Sequence, residues 1–124
     1  MWWAKYVGIP YLDKGRTDQG CDCWGLVRLV YAQELGIYLP SWHTHDGLES
    51  IRGMLKQFLP QYRKLEGPDP FSIALFSSSV TAMHVGVMVD AGRMLHTTQG
   101  KDACLENTYL YRFKLLGYYV PDNQ

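Results

Sequence analysis

Cys23 follows Asp22 at the start of a helix-compatible run, and two histidines, His84 and His96, lie far downstream. A thiol, an imidazole and a group that orients the imidazole are the parts of a hydrolase working through a thioester. Asp22 is a good helix N-cap, so Cys23 falls in the first turn, beneath unsatisfied amides and the positive end of the helix dipole. That setting favours the thiolate, which is the nucleophilic form. A lone cysteine on an apolar stripe is more often a small buried hydrophobe. Here the capped helix start and the two histidines argue for the nucleophile, and the bland role is left to Cys21 and Cys104.

The histidines need a strand pair to bring them together. His84-Val85-Gly86-Val87-Met88-Val89 alternates as a strand does, Asp90-Ala91-Gly92 makes a turn, and Arg93 to Thr98 is extended again. A two-residue loop at Ala91-Gly92 sets His96 opposite Val87, on the wrong face. A three-residue loop pairs Val89 with Arg93 and sets His96 opposite Gly86, on the face of His84. Gly92 suits the left-handed residue that usually closes such a loop, which selects the three-residue form. The imidazoles are then diagonal neighbours, about 7–8 Å apart at their α-carbons, and Gly86 leaves them room. His84 is the expected base. His96 is expected to bind the other nitrogen of His84 and fix its tautomer, with Gln99 as a rival for that role.

With these motifs in place the chain resembles the NlpC/P60 cysteine peptidases, particularly the short phage-tail and prophage versions. Gly8-Ile9-Pro10-Tyr11 is similar to the family's N-terminal signature, and Asp22-Cys23-Trp24-Gly25-Leu26-Val27 to its nucleophile block. His84 to Val89 resembles the catalytic-histidine strand, Gly92 to His96 the strand of the third catalytic residue, and Leu115 to Pro121 the last strand of phage-type members. The resemblance implies a papain-like α+β fold and cleavage of peptidoglycan stem peptides, most often between D-glutamate and a diamino acid. It also implies that the Tyr11 hydroxyl joins the Cys23 amide in stabilising the oxyanion, a contribution of about 2.7–4 kcal/mol per donor. Most secreted members carry Ser after the nucleophile where this chain has Trp24, so Trp24 alters the usual substrate subsite and Asp22 is left as the ligand for a substrate amine. The segment leading to the histidine strand keeps an acid, Asp69, but not the glycine expected before it.

At 124 residues the chain is expected to form one domain, residues 1–124. Hydrophobic residues make up 47% of it, enough for a core, and twelve basic residues cancel twelve acidic ones. Nothing in that balance suggests an electrostatic grip on nucleic acid or a membrane surface. A Cys-x-Cys pair with one distant cysteine matches no zinc spacing, and His43-x-His45 supplies too few ligands, so neither a metal nor another cofactor is expected. Reduced thiols are expected rather than a Cys21–Cys104 disulfide. Met1 to Tyr6 lacks the basic start and apolar run of a secretory signal, and no apolar run approaches transmembrane length. A protein made in the bacterial cytoplasm and acting on cell wall then needs separate delivery, and a phage tail, with tail proteins as partners, would supply it.

The order of elements is helices first, then strands. Trp2 to Val7 suits a short helix, and Leu26 to Leu35 continues the nucleophile helix to Gly36. Asp46 and Glu49 form a capping box for a second helix ending at Pro60. Strands are expected at Tyr62–Leu65, Ile73–Phe76, His84–Val89, Met94–Thr97, Tyr109–Leu115 and Tyr118–Val120, which makes an α+β fold with helices on one face of an antiparallel sheet. The residues thus point to a Cys23-His84-His96 hydrolase, and the resemblance implies stem peptides as its substrate. An amidase or acyltransferase on another amide, and a tail-assembly part that only binds, are the alternatives.

Overall fold

A computed structural model describes residues 1–41, 56, 58–79 and 82–122 of the chain. The Asp46–Glu49 capping box and the His43-x-His45 pair lie outside the described residues. Helix α1 (Cys23–Val30) begins as expected: Asp22 is extended and its carboxylate accepts the Gly25 amide at 2.7 Å. The helix widens into a π turn over Tyr31–Leu35 and stops at Gly36, which takes a left-handed φ of 68°. Eight residues make too short a helix to stand alone in water. Its stability comes from Trp24, Leu26, Val27 and Val30, all fully buried, packed on the sheet at β5 (Ala82–Met88) and β6 (Arg93–Thr98).

The charged segment before the helix is a small hairpin, β1 (Arg16–Thr17) with β2 (Gly20–Cys21). It lies so close to α1 that a β-carbon on Gly25 would stand 2.1 Å from the Gly15 carbonyl oxygen. A β-carbon on Gly15 would stand 2.4 Å from the Gly20 oxygen. Backbone meets backbone here, and that contact sets the position of Asp22 and Cys23.

The remaining strands are β3 (Tyr62–Leu65), β4 (Ile73–Ser79), β7 (Lys101–Asn107) and β8 (Leu115–Pro121). Together with β5 and β6 they form one antiparallel sheet in the order β3-β8-β4-β5-β6-β7. Alternate residues divide between its faces. Ile73, Leu75, Val85, Val87 and Leu95 join the core under α1, while Ala74, Phe76, Met88 and Met94 form a second cluster with Tyr111, Leu115 and Tyr118. The α+β class and the antiparallel sheet are those expected from the sequence.

Two expectations fail. Tyr109–Leu115 is not a strand: Thr108–Lys114 forms 3-10 turns, started by the Asn107 side chain accepting the Tyr109 amide at 2.9 Å. Its alternating aromatics look like a strand face, yet Tyr109 and Phe113 are exposed and only Tyr111 turns inward. The strand next to it, β7, was not expected at all. Its run Lys-Asp-Ala-Cys-Leu-Glu-Asn is rich in poor strand formers.

Candidate active site

The β5–β6 turn brings the histidines together. Val87 pairs with Leu95 and Met88 with Met94, and the Val89 amide bonds to Arg93 at 3.0 Å. This is the three-residue register, and it carries His96 to the level of Gly86. The reason differs from the one the sequence suggested, because Gly92 is not left-handed. Asp90 closes the turn instead, its carboxylate accepting the Gly92 amide at 3.0 Å and the Arg93 amide at 2.8 Å. A β-carbon at Gly86 would meet Met94 Sδ at 2.7 Å and His96 Cβ at 3.2 Å, so the glycine does make room for the second imidazole.

His84 Nε2 and His96 Nδ1 are 2.8 Å apart. Both rings line a cleft of about 220 Å³, with Cys23, Asp22, Tyr11 and Tyr111 around them and Phe76 and Met83 as apolar wall. Tyr11 arrives on an extended segment stitched between two elements. The Gly8 amide bonds to the Ala103 oxygen, and Pro10 accepts the Cys21 amide. Gln99, the rival orienting residue, is exposed.

Trp24 does not line the cleft, contrary to its expected place in a substrate subsite. One position beyond Cys23 on the helix it points inward, fully buried, with its indole N–H donated to the Pro40 oxygen at 2.8 Å. Asp22 lines the cleft but is already engaged. Its Oδ1 holds the helix cap and also the Arg16 guanidinium at 2.6 Å. Arg16 bonds the Gly15 oxygen as well, which ties the hairpin to the helix start.

All three cysteines are free. Burial pushes the Cys21 thiol up to about 12, with Asp22 and Cys23 adding to the effect, so it stays protonated. Cys104 is raised too, by burial and then by Glu106. Burial also raises the Tyr11 phenol, with Asp13, Asp22 and Cys23 adding to the shift, so it keeps its proton as a hydrogen-bond donor. His84 is pushed below the usual histidine range by burial and then by His96, and His96 by burial against the opposing pull of Glu106. Both rings are therefore neutral at pH 7, and His84 can accept a proton.

Glu106 on β7 carries no motif and was not anticipated. Its Oε1 lies 2.6 Å from His96 Nε2, 2.8 Å from the Tyr111 hydroxyl and 2.9 Å from Lys101 Nζ. Burial alone would raise its carboxyl, but the bonds from Lys101, Tyr111 and His96 outweigh that and hold it at about 2. A signal was present, since strand alternation from Cys104, which pairs with His96, places Glu106 on the same face. Seeing it required knowing that β7 is a strand. Among the described residues His96, Cys104 and Glu106 are the group whose ligand atoms, all within 4.8 Å of one another, could hold a cation.

The NlpC/P60 family model matches residues 8–113. The γ-DL-glutamyl hydrolase of Bacillus subtilis (strain 168) is 33% identical over 96% of this chain and 28% of its own length. The murein DD-endopeptidase MepS/murein LD-carboxypeptidase of Escherichia coli (strain K12) is 25% identical over 77% of this chain and 46% of its own. The chain thus spans less than half the length of either relative. The crystal structure of the NlpC/p60 domain of the peptidoglycan hydrolase SagA superposes with a TM-score of 0.66 at 21% identity, covering 96% of this chain and 92% of that one. The matched span runs from the segment that carries Tyr11 to the turn that lays Tyr111 over Glu106, and the chain belongs to the NlpC/P60 family.

Proposed function

We propose that this chain is a cysteine endopeptidase that cuts peptidoglycan stem peptides at the amide between γ-D-glutamate and a diamino acid. The observation that carries this reading is the 2.8 Å contact between His84 Nε2 and His96 Nδ1, in the cleft that Cys23 also lines. It leaves Nδ1 of His84 for the thiol. His84 takes the Cys23 proton as the sulfur attacks the carbonyl carbon, and the carbonyl electron pair moves onto oxygen. The Cys23 amide and the Tyr11 hydroxyl stabilise that oxyanion. His84 returns its proton to the leaving amine as the C–N bond breaks. A water, deprotonated by His84, then cleaves the thioester and frees the thiol. His96 orients His84 throughout. Asp22 secures the nucleophile's turn and is the acid, among the described lining residues, that can meet a substrate amine.

The names of the relatives support an amide of this class, one being a γ-glutamyl hydrolase and the other a murein endopeptidase. The 33% identity to the former favours a second reading, a γ-DL-glutamyl amide other than the stem-peptide bond. For delivery we assign a phage or prophage tail, with tail proteins as partners. The similarity of the Leu115–Pro121 strand to phage-type members supports it. No helix of the described residues is long and apolar enough to cross a membrane.

Mass spectrometry of defined muropeptides and of a γ-glutamyl polymer, incubated with wild type and with Cys23→Ala, tests this. Products split after D-glutamate by the wild type alone are expected. Cleavage of the polymer with stem peptides left intact would transfer the substrate to the second reading. No cleavage of either by folded, reduced protein would overturn the hydrolase.

A further inference from the structure

We propose that Glu106 is a positioning residue that fixes, through His96, which nitrogen of His84 faces the thiol. The inference rests on the cysteine-hydrolase reading and extends it by one residue on a strand outside the catalytic motifs. Its basis is a count of protons along four hydrogen bonds. Glu106 Oε1 receives the Tyr111 hydroxyl and the Lys101 ammonium, so it is an ionised acceptor with no proton to give. The 2.6 Å contact with His96 Nε2 therefore needs the proton on that nitrogen. A neutral His96 protonated at Nε2 has a lone pair at Nδ1. The 2.8 Å contact to His84 then needs the proton on His84 Nε2. What remains on His84 is a lone pair at Nδ1, the nitrogen left for Cys23.

Reversing the first bond reverses all of them. With no fixed acceptor at Nε2, His96 can carry its proton on Nδ1, and His84 then accepts at Nε2 and holds its own proton on Nδ1. That ring points an N–H at the thiol and cannot act as its base. The carboxylate has a second effect, because once His84 has taken the thiol proton its positive charge is stabilised by Glu106 across the intervening ring. Lys101 and Tyr111 hold the carboxylate in place, and Cys104 pairs with His96 across the ladder.

The test reads the tautomers directly, by 15N spectra of the imidazoles in the wild type and in Glu106→Gln at neutral pH. Wild type should show both His84 and His96 protonated at Nε2 alone, and Glu106→Gln should show a population of His84 protonated at Nδ1. In steady-state kinetics with a γ-D-glutamyl stem peptide, Glu106→Gln should lower kcat about 10–100-fold, the loss typical when the partner behind a metal-bound imidazole is removed. KM should be unchanged, and the alkaline limb of the kcat/KM profile should move to lower pH because the imidazolium loses its counter-charge. Glu106→Asp should restore part of kcat. A wild-type His84 protonated at Nδ1 would overturn the proposal. So would a variant with wild-type tautomers and pH profile whose activity falls only with its folded fraction. If the wild type cleaves no stem peptide, the proposed substrate fails while the spectra still decide the role of Glu106.

Discussion

Protonation at single residues governs stability here as well as chemistry. His84 and His96 are both held below the ordinary histidine value of about 6.5, so in the folded chain they stay neutral where an unfolded chain would take up protons. The unfolded state binds more protons in that window, so their contribution to stability is complete above pH 6.5 and is lost as the pH falls. Glu106, lowered to about 2, acts with the same sign at lower pH, from its ordinary 4.5 downward. The urea midpoint should therefore fall from pH 7 to pH 4, and less steeply in His84→Gln than in the wild type. Equal slopes in the two proteins would contradict the buried neutral imidazole. At this scale Cys23, His84, His96 and Tyr11 were legible because each sits in a local pattern, a capped helix start, a strand pair or a signature segment. Arg16 and Glu106 were not, since each matters only through a partner on another element. Trp24 was misplaced because adjacency in sequence puts a helical neighbour on a different face.

Among the elements, the start of α1 is held by backbone contact with the β1–β2 hairpin more than by helix propensity. Replacing a glycine inside a helix by alanine ordinarily adds about 1 kcal/mol of stability. At Gly25 the new methyl would strike the Gly15 oxygen at 2.1 Å and crowd the Asp22 carboxylate at 3.1 Å. Gly25→Ala should instead lower stability by about 1–3 kcal/mol, the usual cost of overpacking, seen as a reduced urea midpoint. A raised midpoint would refute the close approach. The histidine hairpin shows how an element can be read correctly for the wrong reason: its register follows from a three-residue turn, but the Asp90 carboxylate, not a left-handed Gly92, closes it. The aromatic run after Asn107 reads as a strand on propensity alone, while a side-chain cap and the exposure of Tyr109 and Phe113 make it a set of turns.

In the whole molecule, the antiparallel sheet puts chemistry from distant parts of the chain into one cleft. The helix start supplies the thiol, β5 and β6 the imidazoles, the N-terminal segment the phenol, and β7 the carboxylate behind them. The α+β class was legible because hydrophobic periodicity changes from helical to alternating near Tyr62. The position of β7 at the sheet edge was not, because its polar composition resembles a loop. The proposed mechanism requires that Cys23 is activated by this arrangement and that Cys21 and Cys104 are not. Iodoacetamide alkylation followed by peptide mapping, as a function of pH, tests it most directly. Cys23 should react well below pH 8, ahead of Cys21 and Cys104, and should lose that advantage in His84→Ala. Equal and slow reaction of all three thiols in the folded wild type would contradict it.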